Sequence, residues 1–367
     1  MMSANLLQIT PPESFTSSPP TPPATEEKSV PAISHVLAEV RQHKDGHYPA
    51  PGEHWHKFPL NGHQYDSLQR QLRKEGLWDH YKHKIRYDCF PLANLYVLRM
   101  PSSLHESFVF LIAQDILRQL HKIGQGSSPS AIFAGDIENS ASAEISFKET
   151  GYGSHQPDIA FQHFEAQYPG VIVELSYSQK KSDLSRLAHE YILGSDADIR
   201  VMIGIDVEYK GSRKASISIW RPHVEVDDAG ERELCVVQTV TDQLFRDDVG
   251  NLVPDSQASL QLRLEDFGTE AFAVNFPGLT GDVHISAEQL FAYLERAEAK
   301  AKRVKDGEGL VRSTKPWVRK RRRDSTPPEQ LDPDREGRFA EQEQRALNNA
   351  MRDDVSYKAS SSVADHE

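Results

Sequence analysis

The stretch "HQPDIAFQHFEAQYPGVIVELSYSQKK" (residues 155–181) decides the fold, because it combines two apolar runs with two acids. Asp158 follows a proline at the head of the first run, and Glu174 lies within the second run sixteen residues later. The second run, at 170–178, is continuous and rich in valine and isoleucine, as expected of a central strand that is covered on both faces. The stretch therefore predicts two neighbouring strands that carry one carboxylate each.

The segments on either side predict an α/β arrangement. Residues 102–124 show the apolar periodicity of an amphipathic helix, and a strand is expected at 142–147. After the opening stretch, residues 182–195 predict a second helix, and residues 199–209 and 214–222 predict two further strands. The order is helix, three strands, helix, two strands. We therefore expect a central mixed β-sheet that is flanked by helices.

Composition divides the chain into five segments. Residues 1–33 are rich in proline, serine and threonine and are predicted to be disordered. Residues 34–83 predict a helical N-terminal extension, and residues 84–223 form the α/β core. Residues 224–305 predict acidic strands that extend the sheet of the core, followed by an amphipathic helix. Residues 306–367 are polar and charged and are predicted to be a second disordered tail.

Charge and cysteine usage exclude several classes of protein. There is no run of 18 apolar residues, so no membrane span is expected. Cys89 and Cys235 are the only cysteines, which excludes a zinc ribbon or a disulfide framework and fits a reducing compartment. The net charge is −12, and residues 224–299 hold 4 basic against 16 acidic side chains. The core, with 14 basic against 16 acidic side chains, is nearly neutral. Composition therefore gives no positive support for a nucleic-acid partner and does not exclude one.

A basic run stands out in the C-terminal segment. All five residues at 319–323 are basic: Arg319, Lys320, Arg321, Arg322 and Arg323. Such a run in a polar context is typical of a nuclear import signal, and it also fits a tail that contacts nucleic acid or a plain charged tail. We favour import, which predicts a nuclear protein that binds an import receptor.

The chemistry of the two acids follows from strand geometry. Alternation puts Glu174 and Ser176 on one face of their strand, which leaves the carbonyl of Leu175 as a candidate third oxygen beside Asp158 and Glu174. Divalent cations such as Mg²⁺ prefer carboxylate and carbonyl oxygens. A buried acid needs a partner because an unpaired buried carboxylate is costly. That partner is either a metal ion or a neighbouring arginine or lysine, and the residues alone leave both open.

The pattern resembles the PD-(D/E)xK superfamily of restriction-endonuclease-like nucleases, and in particular uncharacterised fungal proteins built around "PGVIVEVSYSQ". That family has a core of a helix, a three-stranded meander, a helix and a further strand. The resemblance covers residues 84–223. It implies a restriction-endonuclease-like core and a Mg²⁺- or Mn²⁺-dependent hydrolase of phosphodiester bonds, with Asp158 and Glu174 as metal ligands. Glu106, near the start of the first helix, would assist, although its spacing from Ser103 also fits a capping box.

One position departs from the family pattern. Ser176 stands where the family has the lysine that orients the attacking water. The resemblance then implies a cation from elsewhere, and Lys180, Lys181 and Arg186 are the candidates. With such a cation the protein is a nuclear endonuclease. Without one it is an inactive relative that acts as a nucleic-acid-binding or protein-interaction module.

Overall fold

The computed structural model describes residues 31–47, 55–99, 101–147, 150–177, 181–208, 211–226, 230–269, 272, 275–307, 309, 311, 341–342 and 345. One compact unit runs to Gly309, and Leu310–Glu367 form a second unit. Most of the two tails predicted to be disordered, the basic run at 319–323, Lys180 and the side chain of Lys181 lie outside the described residues.

The first unit is a mixed α/β structure. Its described helices are α1 (Pro31–Lys44), α2 (Gly62–Lys74), α3 (Trp78–Lys84), α4 (Ser103–Ile123), α5 (Pro129–Gly135), α6 (Lys181–Gly194) and α7 (Ala287–Asp306). Its described strands are β1 (Trp55–Pro59), β2 (Arg86–Phe90), β3 (Leu95–Arg99), β4 (Ile137–Asn139), β5 (Ile145–Ser146), β6 (Ser154–His155), β7 (Ile159–His163), β8 (Val171–Tyr177), β9 (Val201–Val207), β10 (Ala215–Val226), β11 (Arg232–Arg246), β12 (Leu260–Arg263) and β13 (Asp282–Ile285). Within this part of the chain, no helix has the length and apolar character to cross a membrane.

A six-stranded sheet forms the centre, with the strand order β11-β10-β9-β8-β7-β4. The β8–β9 pair is parallel, and the other pairs are antiparallel, so the predicted mixed sheet is confirmed. Helices cover both faces of this sheet. Successive side chains of a strand point to opposite faces, so neighbouring residues of β8 contact different helices. Val173 packs in the cluster that contains Phe108 of α4, whereas Ile172 packs in the cluster that contains Leu187 of α6.

Two predicted strands lie elsewhere. The strand expected at 142–147 is the two-residue β5, which pairs with β6 in the other large sheet. The strand that flanks β7 is instead β4, whose three residues are too few to show an alternating pattern. The prediction that all acidic strands extend the central sheet is half right. The edge strand β11 does so, but β12 pairs with β13 in a separate ribbon whose buried residues share a cluster with α4 and α7.

A five-stranded sheet, β1-β3-β2-β6-β5, lies beside the first. The segment predicted to be helical contributes α1, α2 and α3, and also β1, which pairs with β3 from Trp55 opposite Arg99 to Pro59 opposite Leu95. Side chains of these three helices and of β2 and β3 form one apolar cluster. This sheet brings the basic residues of β2 and β3 to the start of β7 and the middle of β8.

Candidate functional site

The two predicted carboxylates converge on one atom. Asp158 immediately precedes β7, and Glu174 lies in β8. The Nη1 atom of Arg99, at the end of β3, lies 3.3 Å from Asp158 Oδ1 and 2.8 Å from Glu174 Oε2. The sequence left two partners open for the buried acids, a metal ion or a basic side chain. In this structure the partner is the basic side chain of Arg99.

Asp158 is surrounded by donors and cations. Arg86 Nη1 lies 2.9 Å from its Oδ1, His105 Nε2 lies 3.0 Å from its Oδ2, and the backbone N–H of Leu175 donates to Oδ2 at 2.8 Å. Burial alone would raise the pKa of Asp158. The charges of His105, Arg99 and Arg86 outweigh burial and hold that pKa far below its usual range, so Asp158 is ionised.

Glu174 shows the opposite behaviour. Its Oε1 accepts a hydrogen bond of 2.8 Å from the hydroxyl of Tyr191 in α6. Burial raises the pKa of Glu174 well above 4.5, and Asp158 and Asp88 add repulsion that Arg99 does not offset. Two acids that share one cation thus have pKa values pushed apart, an arrangement common at functional sites.

Arg99 is anchored independently of these two acids. Its Nε atom lies 3.0 Å from Asp88 Oδ2, and its Nη2 atom contacts the backbone carbonyl of Gln156. One guanidinium group therefore faces three carboxylates. The anchors hold the Nε and Nη2 side of the group, and Nη1 is the atom that Asp158 and Glu174 share.

A buried histidine extends the network towards α6. His155 Nδ1 lies 3.3 Å from Asp88 Oδ1, and Nε2 lies 3.4 Å from Glu190 Oε2. Burial alone would lower the pKa of His155, but hydrogen bonds and charge from Asp88 and Glu190 raise it overall. The backbone N–H of Gly153 also donates to Glu190, which fixes that carboxylate.

Glu106 forms the outer layer of the site. Its Oε1 lies 2.9 Å from Arg86 Nη2, and its side chain is 49% exposed. Arg86 thus bridges Glu106 to Asp158. The predicted capping box with Ser103 is wrong, because the N-cap of α4 is Ser102, whose side chain accepts from the backbone N–H of His105.

Of the three expected replacement cations, Arg186 is the one whose contacts the structure describes, and it does not reach the carboxylates. Arg186 lies 3.8 Å from Asp183 Oδ1 and over the ring of Phe90, and it forms no ion pair with Asp158 or Glu174. Helix geometry is the reason, since five positions separate Arg186 from Tyr191 and turn it about 140° away. The contacts of the Lys180 and Lys181 side chains lie outside the described residues.

Ser176, which stands at the position of the family's catalytic lysine, is directed towards β9. Its hydroxyl donates to Asp206 Oδ1 at 2.9 Å, from the position paired with it in β9. The carbonyl of Leu175 lies on the side of β8 that faces Asp158. Its own N–H points to Asp158, and the N–H and C=O of one strand residue point to the same side.

The donor set fits a hard divalent cation, though only partly. Across the described residues, no group of three or more His, Cys, Asp and Glu side chains is arranged to hold a metal ion. Asp158 and Glu174 nevertheless converge on one point, and the Leu175 carbonyl lies on the Asp158 side of β8. Carboxylate and carbonyl oxygens, completed by water, are ligands that Mg²⁺ accepts.

Sequence reasoning missed most of the network. Arg99, Arg86, Asp88, His105, His155 and Tyr191 were not predicted as site residues. A signal was present in "LYVLRM", where Arg99 is the one charged residue of an apolar strand, and in "RYDCF", which holds Asp88. A charge inside a buried strand requires a partner.

Comparisons with protein-family models, with curated proteins and with solved structures found no match to this chain.

Proposed function

We propose that this protein is a divalent-metal-dependent nuclease with a restriction-endonuclease-like core. The convergence of Asp158 and Glu174, from neighbouring strands, on the single Nη1 atom of Arg99 carries the proposal. The order of elements supports it: α4, the antiparallel strands β4, β7 and β8, then α6, then β9 parallel to β8. This is the order that the resemblance to PD-(D/E)xK nucleases implies.

Asp158, Glu174 and the carbonyl of Leu175 are the groups that would hold Mg²⁺ or Mn²⁺. A metal held there would activate a water molecule and neutralise charge on the phosphate. The residues of the chain do the positioning. His105 and the Leu175 N–H fix the orientation of Asp158, and the Tyr191 hydroxyl fixes that of Glu174.

Arg99 is the cation that Ser176 does not provide. It comes from β3, upstream of the motif, whereas the sequence directed attention downstream. Because Asp88 and the Gln156 carbonyl hold its other nitrogens, Arg99 stays at the site when Nη1 changes partner. A fixed guanidinium beside the carboxylates can bind a phosphate oxygen as well as a carboxylate oxygen.

A second candidate is a nucleic-acid-binding or protein-interaction module without catalysis. The observation that favours it is burial: Asp158, Glu174 and Arg99 are only 4%, 1% and 5% exposed. A substrate phosphate reaches them only if the outer pair of Glu106 and Arg86 moves. In this case the network serves to join the two large sheets.

A cleavage assay separates the two candidates. Purified protein is incubated with single- and double-stranded DNA and RNA in Mg²⁺ or Mn²⁺, beside Asp158→Asn and Glu174→Gln. The matched control is Asp266→Asn, since Asp266 is a buried carboxylate paired with Arg221 at 2.7 Å and outside the site. We expect the wild type and the control to cleave, and each site variant to lose about 100-fold or more.

Two outcomes of this assay would reject the nuclease. The first is cleavage that survives both site substitutions, and the second is a wild type that binds nucleic acid without cutting it. The second outcome selects the binding module. Thermal melts of each variant show whether lost activity reflects lost folding.

We also propose that the protein acts in the nucleus, carried by an import receptor that binds residues 319–323. The support is the run of five consecutive basic residues. A fluorescently tagged chain that lacks these five residues is expected to lose its nuclear concentration. A matched deletion of residues 359–363, which carries no charge, should not change it.

A further inference from the structure

A groove continues from the outer layer of the site. It lies between α4 and α7, encloses about 570 Å³ and is lined by Glu106, Phe110, Gln114, Arg296 and Lys300 among others. Glu106 is thus shared between the groove and the chain of contacts that leads through Arg86 to Asp158. A ligand in this groove would end at Glu106 and Arg86, the outer pair that covers the carboxylate site.

Among the described residues, the two cations of the groove have no ion-pair partner. Arg296 and Lys300 are four positions apart and lie on one face of α7. Both are exposed, and neither forms an ion pair within the described residues. The acids of the same helix segment are used elsewhere, since Glu295 and Glu298 pair with Arg213. The groove side of α7 is therefore basic, in a protein whose net charge is −12.

An exposed aromatic ring stands opposite these cations. Phe110 of α4 is 62% exposed, although other residues of the helix, including Phe108, are fully buried in the core. The core thus does not require the ring of Phe110. Flat rings beside basic side chains are how proteins hold unpaired bases, with the bases stacked on the rings and the phosphates at the cations.

We propose that the groove binds a single strand of nucleic acid, with phosphates at Arg296 and Lys300 and a base stacked on Phe110. The proposal rests on the proposed function, because it names the form of substrate that reaches the carboxylate site. A single strand fits better than a duplex. Bases within a duplex stack on one another and offer no free face to Phe110.

Binding is measured in the absence of divalent metal, so that cleavage does not enter. The probe is a fluorescently labelled 20-nucleotide oligothymidylate, added to the full chain in EDTA and followed by anisotropy. The test variants are Phe110→Ala and the double variant Arg296→Gln/Lys300→Gln. The matched control is Lys302→Gln/Lys305→Gln, which removes two positive charges from exposed positions of α7 that do not line the groove.

We expect Phe110→Ala to weaken binding about 5- to 150-fold, the range that corresponds to one stacked base. The Arg296/Lys300 double variant should weaken binding and reduce the slope of log affinity against log salt by about 1.4, as for two lost phosphate contacts. The control should lose less affinity than the test double variant. An unlabelled blunt duplex of equal length should compete poorly.

The proposal is overturned if the wild type does not bind the single strand, if the duplex competes equally, if Phe110→Ala binds normally, or if the control matches the test variant. These results are separate from those for the enzyme. Groove variants that bind normally, in a protein that loses cleavage with Asp158→Asn, reject the groove and leave the nuclease. Variants that lose binding, in a protein that never cleaves, support the groove and reject the nuclease.

Discussion

Two arginine–carboxylate contacts in this protein differ in the number of acids that share one arginine. Arg221 and Asp266 form two parallel hydrogen bonds of 2.7 and 3.0 Å, and Arg263 Nη2 lies 3.8 Å from the same carboxylate. Arg99 faces Asp88, Asp158 and Glu174 together. The Arg221 contact shows that one carboxylate with its arginine partners is enough to join two elements of this fold. Bracing alone therefore does not explain why three carboxylates converge on Arg99, and this convergence is what makes that place a candidate site.

The largest expected effect on stability comes from removing Arg99, the arginine that three carboxylates share. Arg99→Met leaves three buried carboxylates without their shared partner and should lower the free energy of unfolding by about 3–5 kcal/mol. Arg221→Met should cost less, because Asp266 keeps a hydrogen bond of 2.8 Å from the backbone N–H of Arg263. Urea unfolding of the two variants measures both losses in the free energy of unfolding. Equal losses would show that the Arg99 and Arg221 contacts contribute equally to stability.

A smaller loss is expected from Asp158→Asn. Several charged groups hold the ionised form of Asp158, so its neutral replacement should cost about 1.5–3 kcal/mol at neutral pH. The pKa of Asp158 is lowered in the folded protein, so its contribution is present above pH 3.8 and is lost as the pH falls below that value. The stability gap between the variant and the wild type should therefore be full at pH 6 and narrower at pH 3. A gap that is constant over this range would contradict the assignment.

The smallest effect, with the opposite sign, is expected from Glu174→Gln. Since the pKa of Glu174 is raised above 4.5 on folding, its contribution to stability is full below pH 4.5 and declines as the pH rises towards the folded value. The neutral variant avoids that decline. The melting temperature of the variant relative to the wild type should thus rise between pH 5 and pH 8, by about 2–4 °C. A relative melting temperature that stays constant over this interval would show that Glu174 is already ionised in the folded protein at pH 5.

The central elements could be predicted because their signals are local. α4 shows a periodic apolar face closed by Gly124, and β8 and β9 are continuous apolar runs. The approach of Asp158 to Glu174 also followed, since only a short connection separates their strands. These predictions needed no knowledge of how distant parts of the chain meet.

The cation of the site could not be predicted in the same way. Arg99 lies 59 positions from Asp158 and 75 from Glu174 along the chain, and it reaches them because one sheet packs beside another. That packing depends on side chains from many elements at once. Arg186 illustrates the same limit, because helix geometry excludes it only once the structure shows that Tyr191, five positions away, is the α6 residue that faces Glu174. The local signal for the cation is Arg99 itself, the lone charge of an apolar strand upstream of the motif.

The apolar cluster that packs on the five-stranded sheet limits how far the chain can be trimmed. Val36 of α1 and Leu68 of α2 pack in the same cluster as Tyr87 and Leu98 of the two strands that carry Arg86 and Arg99. A fragment that begins at residue 84 would keep the family-like motif and lose 12 of the 17 buried residues of that cluster, together with β1, one of the two strands that pair with β3. The boundary suggested by sequence resemblance is therefore not a boundary at which a protease could release a working core. The N-terminal helices pack against the strands that position Arg86 and Arg99, so the site depends on them.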